Sequence, residues 1–286
     1  MICITGAGGT VGSELIAQLE SANAPFRAAF HSKEKAKAAR ASGIDAAVID
    51  YDRPESLHAA FQGCERLFLL GPNAPSQTQL ELNAVEAATA AGVRHIVKQS
   101  VLRADEEAYI LARVHRQVEQ AIESSGMDWT FLRPNSFMQN VVTFMSATIK
   151  AEGAFYTASG HAKISHVDVR DIAAVAVKAL TGSGHAGKAY ALTGPEALTY
   201  DELASELSKV LARPINHINL TPADMKNGLL AEGTPEDIAD RLLDLERYFR
   251  DGQASRVTDD IERVTGRDPR RFAQYASDCA PLLEPA

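Results

Sequence analysis

Apolar residues follow two alternating rhythms along the first half of this chain. Short apolar runs, at 1–5, 25–30, 46–50, 66–70, 95–100 and 129–133, read as buried strands. Between them, 13–19, 33–42, 54–61 and 76–91 carry apolar positions at helical spacing. Ala90-Ala91-Gly92 ends one helix with glycine just past it, and Ser125-Gly126 closes the helix before the sixth strand. Strand and helix alternating through short connections predict an α/β fold, a doubly wound parallel sheet covered by helices on both faces.

Beyond residue 134 the rhythm loosens. A helix is expected over 136–151, strands at 155–156 and 163–167, a helix over 169–180 and a strand at 189–192, with helices dominating from 199 onward. The division expected is a core of 1–134 and a mixed segment of 135–286 that returns to the core and builds a smaller C-terminal α+β lobe, within one domain overall. Insertions after the later strands of such a sheet flank its ligand crevice, so about 135–165 and 193–255 are the expected walls of a substrate pocket.

The most specific chemical signal is at the first strand. Thr5-Gly6-Ala7-Gly8-Gly9-Thr10-Val11-Gly12 joins that strand to a helix without a gap. The first N–H groups of a helix lack intrahelical partners and sit at the positive end of its dipole, which makes an anion site. Glycines at 6, 9 and 12 permit the tight turn, the close approach of backbone to phosphate and close helix packing. The loop residues Gly6, Gly8, Gly9, Thr10, Val11 and Gly12 are therefore expected to cradle a dinucleotide pyrophosphate, and the sheet reads as a Rossmann core. Leu70-Gly71-Pro72, after the fourth strand, should border the nicotinamide half.

Composition narrows the classes. A chain of 286 residues with 45% hydrophobic side chains can bury a full core. Its net charge of −8 and scattered cations offer no footprint for nucleic acid. Cys3, Cys64 and Cys279 lack metal-like spacing and suit a reducing compartment. No signal peptide precedes the first strand and no apolar run is long enough to span a bilayer, so a soluble, cytoplasmic protein without a membrane partner is expected. Asp168 and Asp171 read as turn and helix N-terminal acids, and His161, His166, His185 and His217 show no ligand spacing, so no metal is expected.

Cofactor choice turns on the end of the second strand. An acid there accepts from the ribose 2′-hydroxyl of NAD, whereas a 2′-phosphate calls for cations and no acid. Phe30-His31-Ser32-Lys33-Glu34-Lys35 has no acid at the strand end, which favours NADP(H) over NAD(H). His31, Ser32 and Lys33 are the expected phosphate contacts, with Lys35 a turn further on. The charged cluster also reads as the solvated first turn of a helix, and Glu34 keeps NAD open. Asp50 is placed either to hydrogen-bond adenine or to cap the turn before Pro54.

The run 5–12, Asp50-Tyr51-Asp52-Arg53-Pro54-Glu55-Ser56-Leu57, Ala91-Gly92-Val93-Arg94-His95-Ile96-Val97, His115 with Glu119 and Ile122, Thr130-Phe131-Leu132-Arg133-Pro134 and Val167-Asp168-Val169-Arg170-Asp171-Ile172-Ala173 together resemble the NmrA-like atypical short-chain dehydrogenase/reductases. Within that group the chain is most similar to bacterial NAD(P)H-dependent quinone oxidoreductases and triphenylmethane reductases. The resemblance implies hydride transfer to a small-molecule acceptor, a quinone or related conjugated electrophile, and is compatible with a homodimer. It also admits an NADP(H)-sensing regulator without turnover, or an imine or ketone reductase of a biosynthetic pathway.

The wider superfamily uses a Tyr and a Lys one helical turn apart. Registered on His115 and Glu119, this chain has His115 at the lysine position and Leu111 at the tyrosine position. Tyr109 and Arg113 have the right spacing but point about 160° away around the helix. An electron-poor acceptor needs no strong general acid, so the missing phenol favours quinones and extended cations over ketones. His115, Ser100 and Asn135 are the candidate catalytic residues. His115 reads either functionally, as a donor to the nicotinamide ribose or a proton source near the acceptor, or structurally, as a buried histidine partnered by Glu119. Ser100 reads as a polarising hydroxyl or a turn cap. Asn135, with Pro134, Phe137 and Met138, reads as acceptor lining or as packing.

Overall fold

A computed structural model describes residues 1–285. The described chain divides into two compact units, the first comprising Met1–Glu107, Ala112–Pro134 and Val169–Ala191, the second Ala108–Leu111, Asn135–Asp168 and 192–285.

The first unit holds a seven-stranded sheet. Its strands are β1 (Ile2–Ile4), β2 (Phe26–Phe30), β3 (Ala46–Val48), β4 (Arg66–Leu69), β5 (His95–Gln99), β6 (Asp128–Pro134) and, at the edge beside β6, the strand Lys188–Leu192. The order β3-β2-β1-β4-β5-β6 is parallel throughout, with Ile2 in register with both Phe26 and Arg66. The winding direction reverses between β1 and β4, the position where ligands of doubly wound sheets collect. Helices α1 (Thr10–Ser21), α2 (Lys33–Ala41), α3 (Pro54–Phe61), α4 (Gln77–Ala90) and α5 (Ile110–Ser124) connect the strands. Further along the chain, α6 (Ser146–Glu152) belongs to the second unit and α7 (Val169–Thr181) to the first. Helix α1 lies against α7, where Gln18 Nε2 donates to the Arg170 carbonyl at 2.9 Å.

The sheet is buried because its strands carry almost unbroken apolar runs. Leu67, Phe68, Leu69, Ile96 and Val97 are wholly excluded from solvent, and Leu57, Phe61, Ala84, Ala88, Val118 and Ile122 pack over one face. Each large side chain so buried contributes about 1.5–3 kcal/mol.

In the second unit, β7 (Ala154–Thr157) pairs in parallel with β9 (Asn216–Asn219), and helices α8 (Tyr200–Leu211), α9 (Pro222–Ala231), α10 (Glu236–Arg250), α11 (Asp260–Thr265) and α12 (Phe272–Cys279) make up most of the rest. The edge strand at 188–192 is thus β8 in chain order. Strand β9 has no counterpart in the sequence reading, because Asn-His-Ile-Asn carries little strand signal and only pairing with β7 makes it one.

Two expectations for this unit are corrected. Residues 136–151 do not form one helix: Met138 N–H donates to Val167 O and Phe137 bridges Val167, so regular helix is reached only after a π-helical stretch, Val141–Met145, at α6. Residues 163–167 do not form a ladder either. Ile164 bridges Leu198, Ser165 N–H donates to Ala254 O and Val167 N–H to Ser136 O, so successive residues bond different segments.

Candidate functional site

Helix α1 begins in the way the glycine spacing requires. Gly6 takes a left-handed φ of 63°, and Gly9 N–H closes onto Gly6 O at 3.0 Å. A Cβ on Gly12 would stand 2.2 Å from Gly6 O, so only glycine lets the helix approach the turn this closely. Gly9 is the N-cap, and no side chain caps the helix. By contrast α2, α8 and α9 are capped by Ser32, Thr199 and Thr221. Gly8, Gly9 and Thr10 are exposed, whereas Val11 and Gly12 are buried. The first turn of α1 therefore keeps its N–H groups for an anion.

The cation that the structure brings to this loop is Lys35. Its Nζ donates to Gly8 O at 3.1 Å and its stem lies along Gly8. His31 and Lys33 are exposed. Ser32 Oγ accepts from Lys35 N–H at 3.1 Å as the cap of α2 and donates to Glu34 Oε2 at 2.8 Å. Asp50 performs its turn role: one carboxylate oxygen accepts from Asp52 N–H at 3.0 Å, while Ser56 Oγ lies 2.9 Å from the backbone N–H and O of Asp50.

Leu70 and Gly71 are fixed by three side chains that the sequence did not single out. Thr5 Oγ1 accepts from Leu70 N–H at 2.9 Å, and the Tyr51 hydroxyl donates to Leu70 O at 2.8 Å. Gly71 N–H donates to Glu81 Oε1 at 2.7 Å, and a Cβ on Gly71 would meet Glu81 Cγ at 2.4 Å. Pro72 is exposed.

Glu81 belongs to a buried charged network. Lys98 Nζ lies 3.0 Å from Glu81 Oε1, with both side chains wholly buried. The same ammonium donates to the Gln99 carbonyl and lies 3.2 Å from His115 Nδ1. His115 is thus partnered by Lys98, and the expectation of Glu119 as its partner is corrected. Glu119 instead receives two bonds from Arg133, Nε to Oε1 at 3.0 Å and Nη2 to Oε2 at 2.8 Å, and one from Arg116 at 3.1 Å. A guanidinium matches a carboxylate in this two-pronged way, and an imidazole does not. Burial, and secondarily the Lys98 charge, hold the His115 imidazole well below the usual histidine range. His115 is therefore neutral near pH 7, which removes the imidazolium acid that one reading of the sequence allowed.

Ser100 follows β5 directly, with its hydroxyl buried and without a protein partner among the described residues. It caps no turn. Asn135 is the opposite case. Its Nδ2 donates to Ser165 Oγ at 2.9 Å and to Ala254 O at 2.8 Å, and its Oδ1 accepts from Ser136 N–H at 2.9 Å. Both of its amide protons are committed within the second unit, as the packing alternative for Asn135 requires. Tyr109 precedes α5, is buried, and packs against Tyr248 with ring centroids 4.5 Å apart and the planes tilted by 34°. Burial, then Tyr248 and Asp244, push its phenol far above the ordinary range.

The NmrA-like family model matches residues 1–277. The chain belongs to the NmrA-like family. It is 37% identical over 277 residues to an NAD(P)H azoreductase of Xenophilus azovorans, covering 96% of each chain. The NADPH complex of an Escherichia coli NADPH-dependent quinone oxidoreductase superposes with a TM-score of 0.88 at 31% identity, covering 97% of this chain and 99% of that one. The Citrobacter sp. triphenylmethane reductase complexed with NADP(H) gives 0.85 at 29% identity, over 98% and 99%. This member of the family is built for a nicotinamide dinucleotide: an uncapped helix N-terminus, a lysine beside the loop and a glycine that no Cβ could replace all suit its pyrophosphate. No helix among the described residues is long and apolar enough to cross a membrane.

Proposed function

We propose that this NmrA-like protein is an NAD(P)H-dependent oxidoreductase that passes hydride to a quinone or a related conjugated electrophile, such as a dye cation or azo compound. The observation that carries this reading is what stands on α5: Leu111 and a neutral His115 occupy the positions of a tyrosine and lysine pair, and the nearby Tyr109 is buried against Tyr248. Neither Leu111 nor a neutral His115 is a strong acid for an alkoxide, so an acceptor that draws hydride by its own electron deficiency suits these positions.

The bound dinucleotide supplies the hydride. The exposed backbone at 8–10 and Lys35 bind its pyrophosphate, the bonds to Leu70 and Gly71 stiffen the loop beside its nicotinamide half, and the Ser100 hydroxyl polarises the acceptor. NADP(H) is the preferred form, because the end of β2 presents His31, Ser32 and Lys33, with Lys35 one turn on, and no acid before Glu34. The test is loss of reduced-nicotinamide absorbance in pure protein as benzoquinones, naphthoquinones, triarylmethyl dyes, azo dyes and cyclic imines are added singly, with NADPH and NADH compared throughout. Turnover with quinones or dyes and tighter NADPH binding are expected. Binding of NADPH without turnover of any acceptor would replace this reading with that of a cofactor sensor.

A further inference from the structure

Lys98 serves three acceptors at once: Glu81 Oε1 at 3.0 Å, the Gln99 carbonyl, and His115 Nδ1 at 3.2 Å. An ammonium has three N–H donors and no lone pair. A carboxylate oxygen and a carbonyl oxygen can only accept, so the third proton points at Nδ1, which must present its lone pair. We propose that Lys98 fixes His115 as a neutral imidazole carrying its proton on Nε2, which makes that N–H a dedicated donor to the ribose of the bound nicotinamide dinucleotide. The ribose half of this proposal rests on the function proposed above.

The surroundings of His115 leave little room for another state. Lys98 faces it from β5, with Glu81 of α4 behind the lysine. Arg116 and Glu119 on its own helix, and Arg133 on β6, are bound to one another. A proton on Nδ1 would face the ammonium 3.2 Å away, and burial opposes the imidazolium further. Nε2, in contrast, makes no bond to the protein among the described residues. Lys98 is therefore a positioning residue, acting on the cofactor through the tautomer of its neighbour.

The test is nitrogen-15 correlation spectroscopy of the histidine rings in the cofactor-free protein, with His115→Gln for assignment. The wild type should show Nε2 protonated and Nδ1 bare, unchanged between about pH 5.5 and 8.5. In Lys98→Met/Glu81→Gln, which removes both buried charges and strands neither, His115 should titrate or populate the other tautomer. A wild-type His115 protonated on Nδ1, or titrating in that window, would overturn the proposal, and so would a double variant that keeps the wild-type spectrum. The wild-type spectrum decides the matter even if the variant fails to fold. NADPH affinity gives a second readout. His115→Phe and Lys98→Met/Glu81→Gln should each weaken it roughly tenfold, and together by no more than about a further twofold. Fully additive losses would remove the ribose role. Failure of the wild type to bind NADPH would sink the functional reading itself, while the tautomer is read without cofactor.

Discussion

The glycine loop and the Lys98 network lie in the same unit and use opposite physics. The loop is exposed backbone: Gly8, Gly9 and Thr10 face solvent, and the side-chain cation bonded to it, Lys35, is itself exposed. The network is buried side chain, with Lys98 and Glu81 wholly inaccessible and His115 nearly so. Backbone donors at a helix start tolerate water and exert little force on the rest of the fold. Buried charges must be matched partner for partner, because a stranded one costs more than the pair contributes. The loop can therefore lose function without losing structure, whereas the network couples the two.

Single substitutions should separate the regions most clearly. Lys98→Met leaves the Glu81 carboxylate buried without its cation and should destabilise the protein by about 3–5 kcal/mol, read by denaturant unfolding. Adding Glu81→Gln should restore most of that loss. Equal stability of Lys98→Met and the wild type would show that the pair is solvated and the contrast false. Acid gives the next largest effect. His115 and His166 are both buried and neutral, their pKa values lowered by burial, that of His166 to about 4. A histidine whose folded pKa lies below its unfolded value of about 6.5 contributes stability above that pH and loses it as pH falls toward the folded pKa. For His166 alone the drop from 6.5 to about 4 amounts to about 3 kcal/mol. Melting temperature should fall across this window, and His166→Leu should flatten the fall. The loop, which has no titratable side chain between residues 5 and 12, adds nothing to it.

Within the loop, two glycines should fail differently. Gly12→Ala drives a Cβ into Gly6 O and should cost about 1–3 kcal/mol of stability together with cofactor binding. A Cβ at Gly9 would meet only Gly6 O, at an ordinary 3.4 Å, so in Gly9→Val circular dichroism and the melting curve should stay close to wild type while NADPH titration shows binding lost. Retained binding in Gly9→Val would mean that the backbone there does not approach phosphate. The smallest effect is expected at Tyr109→Phe, with kcat changing by less than about threefold, against about 10² or more for loss of a general acid.

The loop was legible in the sequence because its signal is local: strand, glycine spacing and helix lie within the first dozen residues. The parallel sheet and the helices of the first unit were legible for the same reason, with most boundaries agreeing to a residue or two, as at Pro54–Phe61, although α1 starts three residues before the expected 13. The network was not. Lys98 sits in His-Ile-Val-Lys-Gln, where it reads as the polar end of a strand, and Glu81 sits in a helix where a single acid reads as solvated surface. Only the pairing of β4 with β5 and the packing of α4 bring them together, and no spacing rule connects residues 81, 98 and 115. His115 was found by its register, but its partner was misassigned to the acid one turn along the helix. Glu119 was already claimed by Arg133, fourteen residues on. Asn135 shows the same limit, since its bonds to Ser165 and Ala254 come from segments 30 and 119 residues distant.

The cap of α2 has a bearing on how this protein could change its cofactor. Ser32 Oγ receives the Lys35 N–H that opens the helix, at the very position where a dinucleotide-binding sheet reads the adenosine ribose. Aspartate caps a helix as well as serine does. Ser32→Asp would therefore keep the helix start intact while placing a carboxylate where a 2′-hydroxyl donates and a 2′-phosphate is repelled. On the site proposed above, selection could move between the two dinucleotides at residue 32 without passing through an unfolded helix.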